Sequence, residues 1–194
     1  MIRARGLGRR FGAKRVLRDL DLDVPAGGFL LVTGPNGSGK STFLALVAGL
    51  LAPTEGEIEV GVDRGGIGYL AHEPLVYREL TALENLDLYG RLYHVRERRE
   101  QIGALLERFG LWEARHERVG AFSRGMEQRL ALCRTLLHGP ELLLLDEPYS
   151  GLDAGAVELV DALFAELADE RTVLVASHDP ERIRARASQE LVLA

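Results

Sequence analysis

Residues Gly34 to Thr42 read GPNGSGKST, a glycine-rich loop that ends in a lysine and two hydroxyls. The pattern G-x-x-x-x-G-K-[ST] lets a backbone curl until several N–H groups point inward at phosphate oxygens. Gly34, Pro35, Asn36, Gly37, Ser38 and Gly39 supply that curl, and Ser41 and Thr42 open a helix whose positive end adds to it. Lys40 is placed to reach the β and γ phosphates of a nucleotide, and the Ser41 hydroxyl suits Mg²⁺. A second group of candidates stands where the apolar run Leu142 to Leu145 ends in Asp146 and Glu147. Asp146 suits Mg²⁺ held through its water shell, and Glu147 suits the attacking water, which it would orient or deprotonate. General-base help of that kind is worth about 10²- to 10⁴-fold in rate. His178 follows a third apolar run, VLVAS, where its ring can hydrogen-bond a γ-phosphate or a water beside it.

These residues need strands to present them. FLLVT, ELLLLDEP and TVLVASHDP are short continuous apolar runs, the composition of strands buried on both faces of a parallel sheet. Each ends in the residues just named, so the chemistry is expected at strand ends. VLRDLDLDV alternates apolar and charged residues at strand period, and GEIEV and GIGYLA suggest a further strand pair. After them the character turns helical. TALENLDLYGRLY starts with Thr81 and Glu84 in capping-box spacing and predicts an apolar stripe of Leu83, Leu86, Tyr89 and Leu92 or Tyr93. QIGALLERFG repeats the pattern up to Gly110, with RERRE between the two read as a solvated helix face. A helix from Ser123 carries Leu130, Cys133 and Leu137 on one face and stops at HGP. Strands alternating with helices predict an α/β domain with a largely parallel sheet.

With 194 residues and 46% hydrophobic content, the chain fits one domain with a real core. The longest apolar run, Phe43 to Ala52, falls well short of the roughly 20 residues a membrane-spanning helix needs. The first 18 residues hold seven basic side chains with no apolar block behind them, which argues against a secretory signal and for a cytoplasmic chain. A net charge of -5 favours solvated strand edges for that basic start over nucleic acid or an anionic membrane surface. Cys133 is the single cysteine, so an internal disulfide is excluded.

The order GPNGSGKST, FSRGMEQRLAL, LLLLDEP, SGLD and SHD resembles the ATP-binding cassette (ABC) family across essentially the whole chain. The resemblance implies a P-loop NTPase fold of ABC type over residues 1–194, with an N-terminal antiparallel β part and an inserted α-helical subdomain at 81–124. It implies an ATPase that uses ATP and Mg²⁺ and works as a head-to-tail homodimer. Ser123 and Gly125 of one copy would close over the ATP held by Lys40 of the other, with Arg124 and Met126 in the same signature segment. Phe11 looks like the aromatic that stacks on adenine, Asp153 like the carboxylate that couples the two sites, and His178 like the switch histidine. Polytopic membrane subunits would dock on the helical segment and the loop from His72 to Leu83. The chain would sit at the cytoplasmic face of the cell membrane, with no nucleic acid expected.

Two departures from the family pattern stand out. The signature is usually Leu-Ser-Gly-Gly-Gln, whereas Phe122, Ser123, Arg124, Gly125 and Met126 stand here. Arg124 adds a donor beside the expected γ-phosphate, and Met126 removes an amide. His72 takes the place of the usual glutamine that senses Mg²⁺ and water and links to membrane partners. An imidazole accepts or donates a hydrogen bond and, unlike an amide, can change charge. His72, the short length and the run SRGMEQRLALCRTLLHGPELLLLDEPYSGLD together resemble the ATP-binding subunits of the haem exporter of cytochrome c biogenesis (CcmA-like). Other short bacterial exporter cassettes share most of these letters. A soluble ABC-type module acting on nucleic acid or ribosomes, and a regulatory module that does not hydrolyse ATP, are the readings from other classes.

Overall fold

The computed structural model describes residues 1–167 and 170–194. The chain divides into two compact units, Met1–Tyr69 with Glu141–Glu147 and Leu167–Ala194, and Leu70–Pro140 with Pro148–Glu166. The second unit extends on both sides of the 81–124 stretch.

In the first unit, β1 (Ile2–Phe11) lies between β2 (Lys14–Val24) and β4 (Glu55–Val60) in an antiparallel sheet. The alternation in β1 puts Ile2 and Ala4 inside and Arg3 and Arg5 outside, as a sheet with one face on a core requires. A second sheet has the order β5-β6-β7-β3-β8, formed by β3 (Phe29–Thr33), β5 (Ile67–Leu70), β6 (Leu142–Asp146), β7 (Thr172–Ala176) and β8 (Gln189–Val192). Every residue of β3, β6 and β7 is buried, and β6, β7, β3 and β8 run parallel. The expected antiparallel part and parallel sheet are both present.

Helix α1 (Lys40–Val47) follows β3 through the glycine loop. Its Phe43, Leu44, Leu46 and Val47 join Leu30 and Val32 of β3, Leu142 and Leu144 of β6 and Ile2, Ala4 and Leu7 of β1 in one core. Full burial of each large apolar side chain contributes about 1.5–3 kcal/mol, so this cluster fixes the strand-loop-helix turn. The turn therefore rests on a buried core. Helix α6 (Glu181–Arg184) leads into β8.

The second unit carries α2 (Ala82–Leu92), α3 (Arg98–Arg108), α4 (Arg124–Leu136) and α5 (Ala154–Leu167), the last ending one residue past it. Thr81 and Glu84 form the predicted capping box. The buried face of α2 is rotated from the predicted stripe, however: Ala82, Asn85, Leu86 and Gly90 are inside, while Leu92 is 64% exposed. A polar residue holds this face because Asn85 satisfies its amide completely. It accepts from the Tyr77 N–H at 2.8 Å and donates to the Tyr77 and Thr81 carbonyls at 2.9 Å. In RERRE, Arg96, Glu97, Arg99 and Glu100 are exposed as expected, and Arg98 is the half-buried exception. Arg98 packs its stem against Gly90 and bonds Asp87 at 2.6 Å, which a Cβ at position 90 would prevent by meeting Arg98 Cδ at 2.4 Å. Cys133 is wholly buried, which pushes its thiol up and leaves it inert. Among the described residues no helix is long and apolar enough to cross a membrane.

Candidate nucleotide site

Because β6, β7 and β3 are parallel neighbours, their carboxyl ends lie on one rim of the sheet. The register is level: Asp146 stands opposite Ala176, and Ala176 opposite Val32. Backbone bonds continue the ladder one step further, from the Glu147 N–H to the Ala176 carbonyl at 2.9 Å and from the Ser177 N–H to the Val32 carbonyl at 3.1 Å. The glycine loop, Asp146 with Glu147, and Ser177 with His178 therefore leave the sheet side by side. In open α/β sheets this is the edge at which ligands bind.

The loop itself is built for close approach. Gly34 has φ +142°, and a Cβ there would lie 2.2 Å from the Leu193 carbonyl oxygen, so only glycine lets the chain leave β3 at this point. Gly37, with φ +83°, faces open space instead. Lys40 is buried and folds back over the loop, its Nζ donating to the carbonyls of Gly34 at 2.8 Å and Pro35 at 3.2 Å. Its cation is thereby stored at the centre of the curl, where a phosphate would replace two neutral carbonyls as its partner. Ser38 is also buried, and its Oγ has no hydrogen-bond partner among the described residues. Ser41 is exposed on the first turn of α1, whose N–H groups have no acceptors within the helix.

Asp146 is buried at the end of β6. Burial first, and then the Asp146 charge, push the Tyr69 phenol up to about 12. An open cradle of amides, a buried lysine, an unpartnered buried hydroxyl and a carboxylate at the strand end form the donor and acceptor set that a nucleoside triphosphate with a divalent cation needs. The residues fit that group.

Glu147 takes up a left-handed backbone with φ 52°, unusual for a residue with a Cβ. That turn aims its carboxylate at the end of β7. There Oε1 accepts the His178 backbone N–H at 2.9 Å, Oε2 lies 2.9 Å from the His178 ring Nδ1, and Ser177 Oγ stands 3.5 Å from Oε2. The Glu147 side chain is 13% exposed and that of His178 66%. Phe11, at the end of β1, is 46% exposed, with the Arg9 guanidinium 4.6 Å above its ring.

The remaining candidates fall in the second unit. Ser123 caps α4, its hydroxyl accepting the Met126 N–H at 3.3 Å. Asp153 accepts the Ala156 N–H at 2.9 Å and so starts α5. Arg124 donates to Ser150 Oγ at 3.0 Å, which ties the two segments together. His72 is exposed in the loop after β5. Lys40, Ser41, Asp146, Glu147 and His178 thus share one unit, and His72, Ser123 to Met126 and Asp153 share the other. Ser177 and Ser150 lie within the motifs SHD and SGLD, but motif reading assigns them no role. Each is the serine directly before a singled-out residue or turn glycine, and that position was the available signal.

Residues 17–150 match the ABC transporter family. The chain is 40% identical over 185 residues to YxlF, an ABC transporter ATP-binding protein of Bacillus subtilis (strain 168), covering 92% of this chain and 62% of that protein. It is also 40% identical over 182 residues to the daunorubicin resistance ATP-binding protein DrrA3 of Streptomyces coeruleorubidus, covering 88% of this chain and 58% of DrrA3. The chain therefore spans less than two thirds of the length of either relative. Its fold superposes with a TM-score of 0.89 on the ATP-binding cassette MJ0796, solved as a dimer in a post-hydrolysis state bound to ADP and Pi. That match has 28% identity and covers 100% of this chain and 94% of the other. On the family match, the level strand ends and the phosphate loop together, the chain belongs to the ABC transporter family.

Proposed function

We propose that the chain binds MgATP on the loop 34–42, pairs head to tail with a second copy around two ATP molecules, and hydrolyses ATP to drive the membrane subunits of an exporter. The observation that carries this reading is the shared rim, where the Lys40 loop, Asp146, Glu147 and His178 leave three adjacent parallel strands at one level. Lys40 and the loop amides bind the phosphates and hold them in line. Bound Mg²⁺ supplies charge neutralisation between phosphate oxygens, and Ser41 and Asp146 are the residues to hold it. Glu147 accepts a proton from the attacking water, and His178 orients the Glu147 carboxylate while its ring faces the phosphate side. Ser123 and Gly125 of the second copy, with Arg124 and Met126, complete the site, Asp153 links the two sites, and Phe11 stacks on the base.

The docking face for the membrane subunits is the helical unit with the loop from His72 to Leu83. A groove of about 690 Å³ supports this: Leu83, Leu88 and Trp112 line it together with Arg99, Arg115 and Glu84, a setting for a short helix with apolar and charged side chains. Such docking places the chain at the cytoplasmic face of the membrane. As to direction, export is favoured by a relative, 36% identical, named as a Nod factor export ATP-binding protein. The narrower assignment to haem export rests on His72, the short length and the run from Ser123 to Asp153, and the relatives described above lend it no support.

Calorimetry with MgATP, paired with phosphate release, tests the reading. Wild type should bind and turn over ATP. Lys40→Ala, which removes charge-assisted hydrogen bonds, should weaken binding by about 10- to 100-fold. Equal binding by both forms would refute the phosphate-loop assignment.

A further inference from the structure

We propose that Arg124 is a positioning residue for hydrolysis, a strap that makes the first turn of α4 and the loop 148–153 move as one piece. The inference rests on the reading that this turn meets nucleotide bound by a second copy.

Three contacts join the two segments. The Arg124 guanidinium donates to Ser150 Oγ at 3.0 Å. The Arg124 stem lies across Gly151, where an added Cβ would meet Cγ at 3.0 Å, Cδ at 3.1 Å and Nε at 3.3 Å. A Cβ at Gly125 would lie 2.9 Å from the Gly151 carbonyl oxygen, so the helix turn and the loop touch backbone to backbone. Gln128 adds a longer bond to the Pro148 carbonyl at 3.4 Å. Gly151 can sit beneath the arginine because its φ is +73°, a conformation that side chains disfavour.

The site chosen for this arginine needs a reason. A cation in the first turn of a helix opposes the helix dipole, so helix stability does not favour it there. A guanidinium has five N–H donors in a fixed plane, and it can hold Ser150 with one edge while presenting another to an anion. The loop it holds ends at Asp153, which caps α5 through the Ala156 N–H. A shift of the α4 turn on meeting a phosphate is therefore passed through Arg124 to Ser150 and on to Asp153. The effect expected is on the rate of the chemical cycle and not on ATP capture, because ATP is first bound by the Lys40 loop.

The test is a double-mutant cycle on the full chain, comparing steady-state ATPase of wild type, Arg124→Ala, Ser150→Ala and the double variant, with Arg124→Lys as the conservative form. Arg124→Ala and Ser150→Ala should each lower kcat by about tenfold, the scale of one charge-assisted hydrogen bond, with KM within about twofold. The double variant should fall no further than either single one, and Arg124→Lys should recover part of the loss. Multiplying effects, a change in KM alone, or no change in either single variant would overturn the strap. MgATP-dependent pairing is measured on the same preparations in the Glu147→Gln background. Absence of pairing there would overturn both the functional reading and the strap, whereas pairing with independent effects of Arg124 and Ser150 would overturn the strap alone.

Discussion

Both oxygens of the Glu147 carboxylate are engaged by His178: Oε1 accepts its backbone N–H at 2.9 Å, and Oε2 lies 2.9 Å from Nδ1 of its ring. A left-handed backbone costs a residue with a Cβ about 1–2 kcal/mol, and Glu147 accepts that cost at φ 52° in order to make this contact. The strain buys orientation for the carboxylate, since the same turn carries it from the end of β6 to the end of β7.

Removing the imidazole should therefore damage hydrolysis more than binding. His178→Ala is expected to lower kcat by about 10²-fold, the scale of a reacting group misplaced by an ångström, with KM changed by no more than a few fold. Phosphate release over a range of ATP concentrations measures both. An unchanged kcat would separate His178 from the reaction.

The helical unit has its own pH signature. The Arg98 hydrogen bond holds the Asp87 carboxyl below the usual range, aided by the charges of Arg91 and Arg98, and bonds to Thr81 do the same for Glu84. A lowered folded value means that the stabilisation is complete above the ordinary carboxylate range and is lost as pH falls through the folded values. Arg98→Met keeps a stem of similar length against Gly90 and removes the charge. At pH 7 it should lower stability by about 1 kcal/mol, as expected of a half-buried pair still open to solvent, and the charge-dependent part of that difference should vanish in acid. Urea unfolding followed by the fluorescence of Trp112, the single tryptophan, reads this directly. A difference that does not vary with pH would assign the effect of Arg98 to packing alone.

The parts that are short and strongly patterned were legible in the sequence. FLLVT, LLLLD and TVLVA are apolar throughout, and that composition has few homes other than strands covered on both faces. Their order beside the glycine loop then placed Lys40, Asp146, Glu147 and His178 at strand ends. Helix faces were less legible. Counting apolar letters along α2 selects Leu92 or Tyr93, both exposed, and passes over Asn85, because periodicity does not register a polar side chain whose every bond is made by nearby backbone. Arg98 looked like one letter of a charged run for the same reason, since its partners Asp87 and Gly90 lie on the preceding helix. The link from Arg124 to Ser150 spans 26 residues and joins two separate motifs, so only the folded chain brings it into view.

Pairing of two copies around ATP is the central claim, and the molecular mass of the Glu147→Gln form with and without MgATP, by light scattering, tests it most directly. With its general base removed, this form should retain ATP and accumulate as a species of twice the mass of one chain, while hydrolysis falls by about 10²- to 10⁴-fold. A mass that stays at that of one chain while calorimetry reports saturated MgATP would contradict the account.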